Sequence, residues 1–148
     1  MTLADEAATQ AFGAALAIAL RSGDVITLSG PLGAGKTTLA RALLQALGEE
    51  GEVPSPSFAL VQPYDDLPLP TWHADLYRID GASDLPELGL DEILDHGVLI
   101  VEWPERAPGA WPCALALSLE PFGVAARRLT AKVPPSWEER WPLPRFPE

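Results

Sequence analysis

The chain contains no asparagine, one cysteine, one methionine and only two lysines. Each scarcity closes off a class of explanation. A lone Cys113 cannot form an internal disulfide, and its place in an apolar alternating run reads as a small buried core residue in a reducing compartment. Without Asn there can be no N-K-x-D guanine-reading motif, which argues against a GTP-binding switch. The apolar stretch Ala11 to Leu20 is about half as long as a membrane-spanning helix must be. Met1 to Glu6 carries two acids and no Lys or Arg, so the positive start of a secretory signal is missing. A cytoplasmic protein with no membrane contact is expected.

Positive charge is also short. Ten basic residues against 21 acidic ones give a net charge of -11, which disfavours broad contact with a phosphate backbone. Between Asp65 and Glu105, Arg78 is the sole basic residue. Such a run is either a solvated face or a surface that docks on a basic partner protein. At 148 residues and 47% hydrophobic, the chain can bury one core but not two, so one compact domain is expected.

Periodicity places the elements. The opening segment predicts a helix with Thr2 as N-cap, a stripe of Ala8, Phe12, Leu16, Ala19 and Leu20, and Gly23 as its end. Val25 to Ser29 is a short strand, followed by GPLGAGKTT and then the helix-favouring TLARALLQALG. Phe58 to Tyr64 and Thr71 to Tyr77 read as paired strands joined by DDLPLP. Leu85 to Leu94 has the spacing of a short helix. Gly97 to Trp103 is the near-continuous apolar run of a strand buried on both faces of a parallel sheet. Ala114 to Leu119 and Ala125 to Val133 form an alternating pair around a turn at Pro121 to Gly123. The segment from Pro134 onward is rich in Pro and Trp and is expected to hold no more than one helical turn. It either packs back on the domain or forms a flexible tail.

Gly30-Pro-Leu-Gly-Ala-Gly35-Lys36-Thr37 matches the phosphate-binding pattern G-x-x-x-x-G-K-[ST], with a strand before it and a helix after. The glycines let backbone N–H groups turn inward, and the following helix adds its positive N-terminal end. Lys36 reaches the β- and γ-phosphates as a mobile cation, and the Thr37 hydroxyl completes one magnesium position. ATP and Mg2+ are therefore expected, held along Gly30, Leu32, Gly33, Ala34, Gly35, Lys36, Thr37 and Thr38. Such a loop also needs an acid at the end of a neighbouring strand. Two are available: Glu102, ending the apolar strand where Asp is commoner, and Asp75, in HADLYR. A carboxylate at the carboxyl end of a buried parallel strand lies beside the ligand crevice. His73 reads as a structural strand residue. Arg78 either contacts a phosphate or pairs with an acid such as Asp80.

In order and spacing, GPLGAGKTT, VPSPSFALVQPY, HADLYRID, ELGLDEIL and VLIVEWPER resemble the TsaE family, also called YjeE, across about Gly30 to Arg106. The resemblance implies a small three-layer P-loop α/β fold with a mostly parallel central sheet plus antiparallel strands. It implies an ATPase required for tRNA threonylcarbamoyladenosine modification, working with TsaD-like and TsaB-like synthase subunits, and the net charge of -11 adds that tRNA is reached only indirectly. Residues 1–133 would form the ATPase domain and 134–148 the Pro/Trp-rich tail. Carried over, Lys36 and Thr37 handle phosphate and magnesium, Asp75 and Glu102 are catalytic acids near the metal, and Trp103 borders the nucleotide. Ser57, in Ser55-Pro56-Ser57, stands where the family usually has Thr in a switch-like segment, and it keeps a hydroxyl for sensing the γ-phosphate. Trp103 reads equally as a strand-end aromatic of the core. The competing reading is a small-molecule kinase, which needs an arginine-bearing lid. Arg127 and Arg128 are the only adjacent arginines, and they fall in a strand-like segment.

Overall fold

A computed structural model describes residues 1–51, 53, 61–79, 90–144 and 146. The expectations for Ser57, Asp80, Phe58 to Leu60 and the first half of the Leu85–Leu94 helix lie outside the described residues. The element order is β1 (Thr2–Leu3), α1 (Glu6–Ala19), β2 (Val25–Ser29), α2 (Lys36–Ala46), β3 (Val61–Tyr64) and β4 (Thr71–Asp75), then α3 (Leu90–Ile93), β5 (Val98–Glu102), β6 (Leu115–Phe122) and β7 (Ala126–Lys132). The strands among the described residues join one seven-stranded sheet in the order β1-β7-β6-β2-β5-β4-β3. The central strands β6, β2, β5 and β4 run parallel, while β3 and β7 run against them. This is a mixed α/β P-loop architecture with a mostly parallel sheet.

The alternation of a strand divides its side chains between two cores. Along β5, Val98 and Ile100 join a large core with Phe12, Leu16, Leu39 and Leu43 of α1 and α2. Leu99 and Val101 face the other way, into a smaller core with Ala74, Leu76, Ile79 and Ile93. By the same parity Glu102 continues the row that faces α2. On β4, Ala74 belongs to the smaller core, so Thr71, His73 and Asp75 lie on the α2 side. Helices α1 and α2 approach closely at Gly13, where a Cβ would stand 2.7 Å from that of Ala42. A glycine inside a helix costs about 0.5–1 kcal/mol relative to alanine, and here the close contact explains its presence.

Several local expectations are corrected. Thr2 is not a helix cap: Thr2 and Leu3 pair with Arg128 and Arg127 as an edge strand. The cap is Asp5, whose carboxylate accepts from the Ala8 amide at 2.8 Å. Helix α1 ends at Ala19, before Gly23, because Leu20 turns to an extended conformation. Cys113 is exposed, since β6 begins only at Leu115 and Cys113 lies on the turn before it. The β6–β7 turn is later than expected, as Pro121 and Phe122 still pair with Arg127 and Ala126.

The C-terminal segment packs on the large core. A single 3₁₀ turn, Pro135–Trp137, buries Trp137 to 1% exposure. Trp141 and Phe146 meet the ring of Phe12 edge-on at 6.3 and 5.4 Å. Arg140 clamps Asp24 through two hydrogen bonds, of 2.7 and 3.0 Å, and donates to the Ala19 carbonyl at 2.9 Å. Among the described residues, no helix is long and apolar enough to cross a membrane.

Candidate functional site

The carboxyl ends of β2, β4 and β5 open on a cleft of about 330 Å³. Its floor is the loop between β2 and α2. Gly30, Gly33 and Gly35 all have positive φ, at 141°, 79° and 99°. At Gly30 a Cβ would also fall 2.1 Å from the Leu119 carbonyl oxygen, so two independent constraints demand glycine there. Gly35 starts α2 with no side-chain cap. The first amides of a helix lack intrahelical acceptors, so this end presents N–H groups and the positive pole of the helix to an anion. The cradle fits a phosphate chain.

The structure brings the expected residues together. Leu32, Gly33, Ala34, Gly35, Lys36, Thr37, Thr38, Asp75, Glu102 and Trp103 all line the cleft. Gly30 lies just beside it, on an adjoining depression shared with Pro31 and Trp103. Two further lining residues, Tyr77 and Arg127, were not expected. Arg127 sits on β7, and its Nη2 donates to the Gly33 carbonyl at 3.3 Å. Only the β6–β7 hairpin brings it there. Its pairing with Arg128 in sequence is the one signal it left.

Lys36 is 5% exposed. Its ammonium donates to the Gly30 carbonyl and, at 3.4 Å, to that of Pro31. It also lies 3.5 Å from the centre of the Trp103 ring. Burial lowers its pKa below the ordinary value of 10.5, and the negative charges of Glu102, Glu105 and Asp75 oppose that shift. Trp103 follows Glu102 directly and is the one non-glycine with positive φ among the described residues, at 61°. Such a backbone costs a bulky residue of order 1–3 kcal/mol and concentrates at functional sites. The conformation turns the indole over Lys36 and against Tyr77, whose ring centre is 4.9 Å away.

The acids meet across the sheet. Register places Asp75 directly opposite Glu102 on adjacent parallel strands. Glu102 is 2% exposed, a burial that an ionised carboxylate tolerates only with partners. Its Oε1 accepts from the Thr37 hydroxyl at 3.0 Å, and its Oε2 lies 2.6 Å from His73 Nε2. Asp75 is half-buried and accepts from the Tyr77 amide at 3.0 Å. Among the described residues, no three His, Cys, Asp or Glu side chains form a metal cage. A hydroxyl with one or two carboxylates, all hard oxygen donors, is nonetheless the donor set that Mg2+ uses when phosphates and water complete its shell. Thr37, Glu102 and Asp75 fit that requirement.

A glycine cradle at a helix start, a buried lysine, and paired acids at parallel strand ends together define a P-loop nucleotide-binding protein. The family model described as Threonylcarbamoyl adenosine biosynthesis protein TsaE matches residues 3–128. The chain belongs to the TsaE family. It is 46% identical over 96 residues to the tRNA threonylcarbamoyladenosine biosynthesis protein TsaE of Streptomyces coelicolor, a match covering 63% of this chain and 65% of that one. The Bacillus subtilis protein of the same name is 43% identical over 96 residues, covering 64% and 60%. The Synechocystis protein is 42% identical over 110 residues, covering 72% and 70%. The chain thus spans slightly under two thirds of the first two relatives' lengths. The crystal structure of Bacillus subtilis YdiB superposes with a TM-score of 0.76 at 31% identity, covering 94% of this chain and 87% of that one.

Proposed function

We propose that this chain binds and hydrolyses ATP with Mg2+ in the cytoplasm, and serves tRNA threonylcarbamoyladenosine modification by acting on a synthase of TsaD-like and TsaB-like subunits. The observation that carries the ATPase reading is the 3.0 Å bond from Thr37 to the buried Glu102 at the foot of the glycine loop. That bond joins the loop's hydroxyl to the acid expected to support the metal. The names of the relatives support the place in tRNA modification.

The residues divide the work as follows. The loop amides and the start of α2 hold the phosphate chain, and Lys36 exchanges its carbonyl partners and the Trp103 face for phosphate oxygens. Thr37 and Glu102 hold the metal position. Magnesium, when bound there, neutralises charge on the phosphate oxygens. Each Glu102 oxygen accepts one contact within the protein, which fixes the carboxylate so that it supports the metal beside Thr37, directly or through a water. Asp75 is the more accessible carboxylate, and in this reading it serves as the acid nearest the reacting phosphate. Arg127 adds a second cation beside the loop.

A net charge of -11 opposes direct approach to tRNA, so the contacts that matter are with proteins. The test is steady-state ATPase with the chain alone, with tRNA, and with TsaD and TsaB. We expect slow basal hydrolysis that the two proteins raise and tRNA alone does not. Stimulation by tRNA alone would overturn the partner assignment. Phosphate transfer to a small acceptor in place of water would favour the kinase alternative.

A further inference from the structure

We propose that His73 is a positioning residue that orients the Glu102 carboxylate toward Thr37 and so sets the affinity of the magnesium position. The inference rests on the reading of the cleft as a magnesium–nucleotide site. It begins with a misfit. A strand inside a parallel sheet is normally apolar on both faces, yet on its α2 side β4 carries Thr71, His73 and Asp75 next to the apolar Val98 and Ile100 of β5. Thr71 is satisfied locally, through the Leu69 carbonyl at 2.9 Å. His73, fully buried, points its Nε2 at Glu102 instead.

Glu102 needs that contact. Directly across the register stands Asp75, a like charge that disfavours a carboxylate facing it. The Thr37 hydroxyl offers only one proton, to Oε1. The 2.6 Å contact with His73 ties down Oε2 and turns the carboxylate plane, so that Oε1 faces α2. The proposal assigns the donor to His73 Nε2–H and the acceptor to Glu102 Oε2, since a carboxylate oxygen without a proton can only accept. The other ring nitrogen, Nδ1, is buried with no hydrogen-bond partner among the described residues. A bare lone pair is less costly to leave there than an orphaned N–H, which agrees with the same tautomer. Residues that orient metal ligands in this way typically change metal affinity by about 10- to 100-fold when removed.

Two variants separate orientation from packing. His73→Leu fills the space without a donor, whereas the amide of His73→Gln can supply an N–H near the position of Nε2. Binding of a fluorescent ADP analogue is titrated with Mg2+ for each, and also measured in EDTA, with a thermal melt to establish folding. Leu should raise the Mg2+ midpoint about 10- to 100-fold with the EDTA affinity unchanged, and Gln should restore most of the loss. A folded Leu variant with the parent's midpoint would overturn the proposal while leaving the magnesium reading intact, as would equal loss in Leu and Gln. A parent whose nucleotide binding ignores Mg2+ would sink the magnesium reading and this proposal with it. Should the Leu variant not fold, imidazole 15N shifts of the nucleotide-free parent decide. A proton on Nε2 supports the assignment, and one on Nδ1 alone overturns it.

Discussion

Replacing Lys36 by Met removes the ammonium and keeps most of the apolar stem. The ammonium has partners within the protein: the carbonyls of Gly30 and Pro31 and the face of Trp103 at 3.5 Å. Binding phosphate therefore exchanges contacts instead of adding one. A hydrogen bond to a charged group is worth about 1.5–3 kcal/mol, and a cation–π contact of this kind about 0.5–1 kcal/mol. With the two carbonyl bonds replaced by equal bonds to phosphate oxygens and one further charged bond gained in place of the ring contact, the difference, about 1–2 kcal/mol, corresponds to a roughly 5- to 30-fold weaker Kd. Stability should change by less than about 1 kcal/mol, because the lost loop contacts are offset by relief from burying a charge, the same desolvation that lowers the lysine pKa. The assay is titration with a fluorescent ADP analogue, paired with a thermal melt of the same preparation. A folded Lys36→Met protein with the parent's Kd would refute the exchange and remove Lys36 from the phosphate site.

Because burial holds the Lys36 pKa below 10.5, nucleotide affinity should fall on the alkaline side at a lower pH than an ordinary lysine would dictate, and Lys36→Met should abolish that fall. The stability sign is opposite: between the folded pKa and 10.5 the unfolded chain binds more protons, so this residue's contribution to stability rises with pH across that window, as denaturant melts at several pH values would record. Glu102→Gln should keep nucleotide binding but lower magnesium-dependent turnover by about 10-fold or more, since it removes charge and keeps shape. Unchanged turnover would move the metal role to Asp75. Arg140→Ala leaves the 9% exposed Asp24 with the Arg21 amide at 2.7 Å as its one remaining donor among the described residues, and should cost about 3 kcal/mol, lowering Tm by about 10 °C. A loss under about 1 kcal/mol in the melt would show that the clamp on the C-terminal segment is dispensable.

What the sequence determined by itself was local in origin. Gly30 to Thr37 is contiguous, so its turn geometry and the start of α2 follow from neighbouring residue types. The run from Val98 to Glu102 likewise announced a strand buried on both faces, because nothing polar interrupts it. The family resemblance extended that reading to Asp75 and Trp103, which do line the cleft. Tertiary structure decided whatever depends on register and on distant segments. Asp75 faces Glu102 only because β4 and β5 pair in parallel at that offset. His73, read as a structural residue, touches Glu102 for the same reason. Arg127 reaches the glycine loop across 94 positions of sequence because β7 folds back beside β6. The exposure of Cys113 and the burial of Trp137 belong to this second kind as well. Alternation tells which side chains share a face, but which face is covered, and by what, is set by the packing of segments far apart in the chain.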